Sequence, residues 1–352
     1  FQPGETSKNR KRFRLISLGI FFTTILIGSL VFLDGSPLKI LARYDGLNFT
    51  LKQRLLTETR VLVFHLYQIF FPVPSQFSID HDFVLSDGLF TPWTTFPAIL
   101  MIGSLIISSF VLRRRFPLAG FGVLFFFLSH SIESSFVPLQ LVFEHRNYLP
   151  TLFFFVPLSA GIYSVLMRYR QQRTGADLYA AVFLGLLLCG LGYATYARNA
   201  VWHTEKSLWT DAHRKAPELS RPLHNLAWGH YDRTGRLREA MILYMRALEK
   251  KTHRKYERAI TYHNIASIYL DAVYYEEAAG YWRKALSVLP NHREYRFGLA
   301  TALFHQKQID PALAEADSLV ASLPNNCRYR LLKGRILLQQ QAAHEALEQF
   351  RA

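Results

Sequence analysis

Tyr262-His-Asn-Ile-Ala-Ser-Ile-Tyr-Leu-Asp-Ala-Val-Tyr-Tyr-Glu-Glu-Ala-Ala-Gly-Tyr-Trp-Arg-Lys-Ala-Leu-Ser-Val-Leu-Pro290 reads as two helices joined by a short turn. Ile265, Ala266 and Tyr269 share a face of the first helix, and Ala278, Trp282 and Ala285 share a face of the second. Pro290 ends the second helix, because proline has no N–H to donate. The pattern then returns. Ala278, Ala312 and Ala346 recur at one fixed interval, which Ala266, Ala300 and Gly334 repeat, as do Pro290 and Pro324. Small side chains at fixed places let paired helices cross closely.

That interval matches the tetratricopeptide period of about 34 residues, so residues 203–352 are expected to form an all-α solenoid. An earlier unit runs from His224 to about Lys251, with Leu226, Ala227, Ala240, Tyr244 and Ala247 at matching places. The step from Ala240 to Ala278 is longer than the interval, so its turn or its link to the next unit carries extra residues. Glu205–Pro217, with Trp209 and Ala212, reads as a lone second helix coupling the array to what precedes it. Trp209, Tyr244, Tyr269 and Trp282 read as inter-helix core, and the concave surface as a protein or peptide groove. No polar capping helix is visible before Ala352, so further repeats are expected beyond it.

The first 202 residues differ in kind. Leu15–Leu33, Gly88–Leu112, Asn147–Met167 and Leu178–Ala197 carry no charge and are long enough to cross a hydrocarbon core, and Phe116–Ile132 is a shorter candidate. Membrane helices are therefore expected near 15–33, 92–112, 116–132, 149–167 and 178–197. Lys8, Arg10, Lys11, Arg12 and Arg14 precede the first, Arg113–Arg115 separate the second and third, and Arg168, Arg170 and Arg173 separate the fourth and fifth. The positive-inside rule makes that side cytoplasmic. The connections Asp34–Asp87 and Glu133–Arg146, and everything after Arg198, then face the other compartment. Val61–Ile79 is uncharged as well, but Pro72 and Pro74 limit its helix, expected near 55–71, to an interfacial or re-entrant one. This reading gives a polytopic membrane module over 1–202 and repeats over 203–352, in the periplasm or an equivalent lumen.

The net charge of +15 divides almost evenly, +8 over residues 1–202 and +7 over the rest. There is no dense basic stripe interleaved with aromatics, which excludes a nucleic-acid interface. Cys189 and Cys327 fall in different parts and have no metal-ligand spacing. Asn48-Phe49-Thr50 has the form of a glycosylation acceptor. Phe1–Arg14 is polar and basic rather than a cleavable signal, and the absence of an initial Met suggests a C-terminal portion of a longer protein.

The most unusual local segment is Ser129–Pro150. It puts Glu133, Glu144, His145 and Arg146 at the outer mouth of two apolar helices, where charge is costly unless paired or hydrated. Two readings stand beside each other: a substrate site, or an ion pair of Glu133 or Glu144 with Arg146 that staples the hairpin. Asp80-His81-Asp82 has the form of a D-x-D metal motif, against a hydrated turn with a capping Asp. His65 and His130 read as packed or interfacial side chains.

Glu144-His-Arg-Asn-Tyr-Leu-Pro150 resembles a segment of the transmembrane and tetratricopeptide repeat-containing O-mannosyltransferases and their bacterial relatives, which join a GT-C-type membrane module to repeats. Ser78-Ile-Asp-His-Asp-Phe83 is similar to the bacterial branch. The resemblance implies transfer of a sugar from a polyprenyl-phosphate carrier to a protein Ser or Thr, with the repeats recruiting the acceptor. It implies a catalytic acid in a first loop upstream of this chain, so the catalytic residue is unassigned here. Glu133, Glu144, His145, Arg146 and Tyr148 are then the donor-phosphate or substrate-binding candidates. Arg146 suits a phosphate oxygen through its planar fork of N–H groups. Lys39, Arg43, Lys52 and Arg54 are weaker cationic candidates; Asp80 and Asp82 are the candidates for a divalent metal, which a polyprenyl-phosphate donor needs less than a nucleotide sugar does. Membrane lipids, the lipid-linked sugar and a protein or peptide acceptor are the expected partners. The alternatives are an oligosaccharide ligase or polymerase, and a non-catalytic membrane-anchored repeat scaffold.

Overall fold

The computed structural model describes residues 42–172 and 176–351, with Gly19 and Thr23. The span expected over Leu15–Leu33, the basic residues Lys8–Arg14, Asp34, Lys39 and Arg173 lie outside the described residues. The described chain is helical, and its β pairing is confined to the isolated bridges Leu47 with Arg254, Gly88 with Thr91 and Leu219 with Lys251.

Helix α1, Leu51–Phe70, ends before Pro72 and Pro74 as expected but begins earlier than the expected residue 55. Thr50 caps it: its side chain accepts from the Gln53 N–H, and the Gln53 side chain accepts from the Thr50 N–H. Helices α2, Thr95–Val111, and α3, Pro117–His130, form an apolar hairpin with Arg113–Arg115 at its turn. Gly120 and Gly122 let α3 approach its neighbours. A Cβ on Gly120 would lie 3.0 Å from the Ser109 carbonyl oxygen, and one on Gly122 would lie 2.9 Å from that of Phe153.

The span expected near 149–167 is broken. Glu144–Thr151 and Phe155–Arg168 meet at 58°, and the longer helix, α4, runs Phe155–Gln172. The cause is local: Pro157 cannot donate to the Phe153 carbonyl and its ring would clash there, so a continuous helix is excluded. Helix α5, Ala176–Val201, follows. Among the described residues two helices, Thr95–Arg114 and Leu178–Val201, are long and apolar enough to cross a membrane, or three if the bent pair counts as one; Pro117–His130 is apolar but shorter.

Helix α6, Glu205–Lys215, turns off the end of α5 and is capped by Thr204. It buries Leu208, Trp209 and Ala212 against Leu226, with Ile79, Val201, Tyr231 and Leu243 around them. Four helix pairs follow. The first joins α7, Ser220–Leu226, extended by a π-helical turn over Ala227–Asp232, to α8, Leu237–Leu248. The others are α9, Tyr256–Asp271, with α10, Tyr275–Val288; α11, Arg293–His305, with α12, Ile309–Ser322; and α13, Cys327–Gln339, with α14, Ala343–Arg351. Ala266, Ala278, Ala285, Ala300, Ala312 and Trp282 lie in one continuous buried core.

Each turn within a pair repeats a backbone device. Val273, Lys307 and Gln341, spaced at the repeat interval, have φ of 68°, 62° and 63°, and Gly235 occupies the corresponding turn of the first pair at 74°. The chain reverses there through a left-handed residue whatever its side chain. The extra residues before α9 lie in the link rather than the turn. Their backbone is held on both sides: Lys251 N–H donates to Glu218 O (2.9 Å), Ser220 N–H to Lys251 O (2.8 Å), Asn48 N–H to His253 O (3.2 Å) and Lys255 N–H to Gly46 O (3.1 Å). The link is thus a strap that ties the array to the segment before α1.

Candidate functional site

Two clefts lie where the N-terminal helices meet the array. The larger, about 820 Å³, is lined by the end of α1 (Gln68, Ile69), the loop residues Phe77–Ile79, and Phe143, Glu144, His145, Asn147 and Tyr148. Phe155 of α4, Arg198 of α5 and Arg221 of α7 complete it, with Trp202 just beyond α5. Apolar rings and a few convergent polar groups are the usual make-up of a ligand site.

The motif residues separate by environment. Glu144 lies 3.1 Å from His81 Nε2 and accepts from the Ser78 N–H, so its carboxylate anchors the 78–81 loop. His145 stacks at a tilt on Phe143, ring centres 5.0 Å apart. Tyr148 is exposed at the cleft. Asn147 bridges two imidazoles: its amide nitrogen is 3.0 Å from His65 Nδ1 and its oxygen 3.2 Å from His130 Nε2. Those two rings are stacked 5.4 Å apart. His65 is pushed down to about 3, chiefly by burial and then by His130, so it is neutral and packs as expected.

Arg146 does not line the cleft. It is 7% exposed, its Nε is 3.1 Å from Glu133 Oε2, and its Nη1 donates to Leu141 O at 3.2 Å. This is the hairpin staple, with Glu133 rather than Glu144 as partner. A second buried cation reinforces it. Arg54 donates through Nε to Ser135 O at 2.8 Å and through its other nitrogens to Glu133 O and Leu139 O, and lies 2.9 Å from Glu58. Burial lifts the Glu58 carboxyl to about 7 against the opposing pull of Arg54 and Arg146. Lys52 is exposed on α1.

The cations that do face the cleft are Arg198 and Arg221. Arg198 Nη1 donates to Asp211 Oδ2 (2.9 Å), its guanidinium sits 5.7 Å from the Trp202 ring centre, and its buried Nη2 has no hydrogen-bond partner. Arg221 donates to Gln140 Oε1 (3.3 Å) and lies 3.9 Å from Asp80 Oδ2. Neither belongs to a motif in the sequence, where Arg198 only ends an uncharged run; its position at an apolar helix terminus is the available signal.

Asp80 and Asp82 diverge. Asp80 is fully buried, accepts from Gln140 Nε2 (3.0 Å) and lies 3.0 Å from His253 Nε2, whereas Asp82 lies 3.5 Å from Lys251. Asp80 Oδ1 and Asp82 Oδ2 contact different side chains of the array, His253 and Lys251, a poor fit to shared metal ligation, and the buried Asp80 Oδ2 has no hydrogen-bond partner. Among the described residues no group of three or more His, Cys, Asp or Glu is placed to hold a metal. Burial opposes protonation of His253, but the hydrogen bond and charge of Asp80, with the charge of Glu257, raise it above the ordinary imidazole value. Asn48, the potential glycosylation acceptor, donates its side-chain amide to Thr252 O (2.6 Å) and Oγ1 (2.7 Å), which commits it to the strap.

A family model described as anaphase-promoting complex, cyclosome, subunit 3 matches residues 271–352. Among solved structures the chain is similar to YrrB, described as a TPR protein with an unusual peptide-binding site, at 26% identity over 41% of this chain and 71% of that one, with a TM-score of 0.37. It is also similar to MamA from Desulfovibrio magneticus RS-1, at 14% identity over 41% of this chain and 78% of that one, with a TM-score of 0.38. No curated protein matches. With the recurring helix pairs, the C-terminal part is a tetratricopeptide-type repeat array.

Proposed function

We propose that the chain is the repeat-bearing part of a membrane glycosyltransferase of GT-C type, which takes a sugar from a polyprenyl-phosphate carrier and whose repeats recruit a protein Ser or Thr acceptor. The observation that carries this reading is the larger cleft. It combines the Glu144–Pro150 segment, the termini of two apolar helices and the Arg198 and Arg221 side chains in one space. An amphiphile with an apolar tail and a phosphate head needs that combination. In this reading Arg198 and Arg221 hold the phosphate and Tyr148, Phe155 and Trp202 flank the first isoprene units. Arg146 then acts as a positioning residue that holds the motif loop in place. The module ends and the array begins near residue 203, and the array lies on the non-cytoplasmic side, opposite Arg113–Arg115.

The test is binding of a fluorescent polyprenyl phosphate, and of the matching polyprenol, to the chain in nanodiscs. The phosphate form should bind at least tenfold tighter, and Arg221→Gln and Arg198→Gln should each remove most of that preference. Equal binding of both lipids, or a preference unchanged in both variants, would defeat the donor reading. A membrane-anchored peptide-binding scaffold is the second reading, favoured by the engagement of Arg146 with Glu133. An alkaline-phosphatase fusion after Pro217 tests the sidedness: it should be active, and an inactive one reverses the topology.

A further inference from the structure

The second cleft, about 680 Å³, shares the segments 78–85, 141–145 and 219–221 with the first. Ser78, Phe143 and Arg221 face the first cleft, and Asp82, Leu141 and Leu219 face the second. The far wall of the second is the strap and the first turn of α9. Lys251, Lys255 and Arg258 line the cleft there with a single carboxylate, Asp82, which is 3.5 Å from Lys251. Lys255 and Arg258 are exposed and make no ion pair among the described residues. The half-buried Phe83, Leu85 and Val288 line the same cleft. The cleft therefore presents two uncompensated positive charges beside apolar surface.

We infer that this cleft binds an extended acidic polypeptide segment, with carboxylates at Lys255 and Arg258 and apolar side chains against Phe83, Leu85 and Val288. The choice of polypeptide over lipid follows from which elements build it. The first cleft is lined by Phe155 and Arg198 from the apolar helices, within reach of a bilayer, whereas no lining residue of the second belongs to a helix able to span a membrane. An anion reaching the second cleft comes from the aqueous side. The strap that forms this wall is held at Asn48, Glu218 and Ser220, so the cations stand on a fixed backbone and lose little freedom on binding. The inference does not rest on the transferase reading.

Fluorescence anisotropy of a labelled dodecapeptide alternating Glu with Leu or Ser, against the same peptide with Lys for Glu, tests it on the full chain in nanodiscs of neutral lipid. The acidic peptide should bind and the basic one should not. Binding should weaken severalfold between 50 mM and 300 mM salt, because exposed charges are screened. Lys255→Glu with Arg258→Glu should weaken it at least tenfold, and the Gln pair by an intermediate factor, which decides the matter even if the charge reversal misfolds. Equal binding of the two peptides, or an acidic peptide indifferent to the Gln pair, overturns the inference. So does capture of phosphatidylserine vesicles, lost in the Gln pair, by a chain that ignores the peptide.

Discussion

Glycine and histidine carry the sharpest consequences in the array. Gly298 on α11 packs on Trp282 of α10 so closely that an added Cβ would overlap the indole ring. The ring cannot retreat freely, since Trp282 is 2% exposed and its Nε1–H donates to His263 Nδ1 at 3.0 Å. Gly298→Ala should therefore destabilise the array by about 1–3 kcal/mol, the cost of overpacking. It would be read as a lower thermal midpoint and a shift in tryptophan emission; an unchanged midpoint would mean that the two helices slide apart at no cost. Burial lowers His263, with His292 adding to it, and this keeps the acceptor nitrogen free at neutral pH.

At the scale of an element, the turns within each pair are more uniform than their sequences. Val273, Lys307, Gln341 and Gly235 share a left-handed backbone, which is unfavourable for a β-branched residue. Val273 is exposed, so replacing it alters the backbone term almost alone. Val273→Gly should raise stability by about 1 kcal/mol, after the larger chain entropy of glycine in the unfolded state is set against the relieved strain. The thermal midpoint would then rise by roughly 2–4 °C. A fall would show that the Val273 side chain contributes contacts outweighing the strain. The broken helix at Pro157 makes the opposite point, because there one residue type is enough to predict an interruption and the uncharged composition conceals it.

For the whole molecule, the decisive contacts cross between residues far apart in sequence. Asp80 meets His253, Asn48 meets Thr252, and Lys215 Nζ donates to Pro74 O (3.1 Å) and Phe77 O (2.7 Å). The link has a pH dependence with a definite sign. His253 is raised by its partners, so its contribution is complete below about 6.5 and is lost as pH climbs through the raised folded value. Hydrogen exchange, corrected for intrinsic rate, should show residues 46–48 and 251–255 less protected at pH 8 than at pH 6. In Asp80→Asn the protection should be low at both, because the imidazolium has lost its carboxylate. Protection equal at both pH values in the native chain would show that backbone pairing alone holds the strap.

The sequence by itself determined the helix pairs. A recurrence of Ala, Gly and Pro at one fixed interval can satisfy close helix crossing in one way, and Ala266, Ala278, Ala300 and Ala312 are all fully buried. It also showed that the first part is apolar and helical, since an uncharged run of that length has few other states open to it. Two alternatives it left open were decided by tertiary structure. Whether Arg146 faces a ligand or Glu133 depends on the fold of the 131–146 hairpin around Arg54, and spacing along the chain carries no information about that packing. The extra residues between Ala240 and Ala278 could have been a longer turn, but their backbone groups pair with Gly46, Asn48, Glu218 and Ser220 in a strap. Hydrogen bonds between segments so distant along the chain leave no periodic trace in either one. That is why Arg198, Arg221, Lys255 and Arg258 became candidate binding residues only once the clefts could be seen.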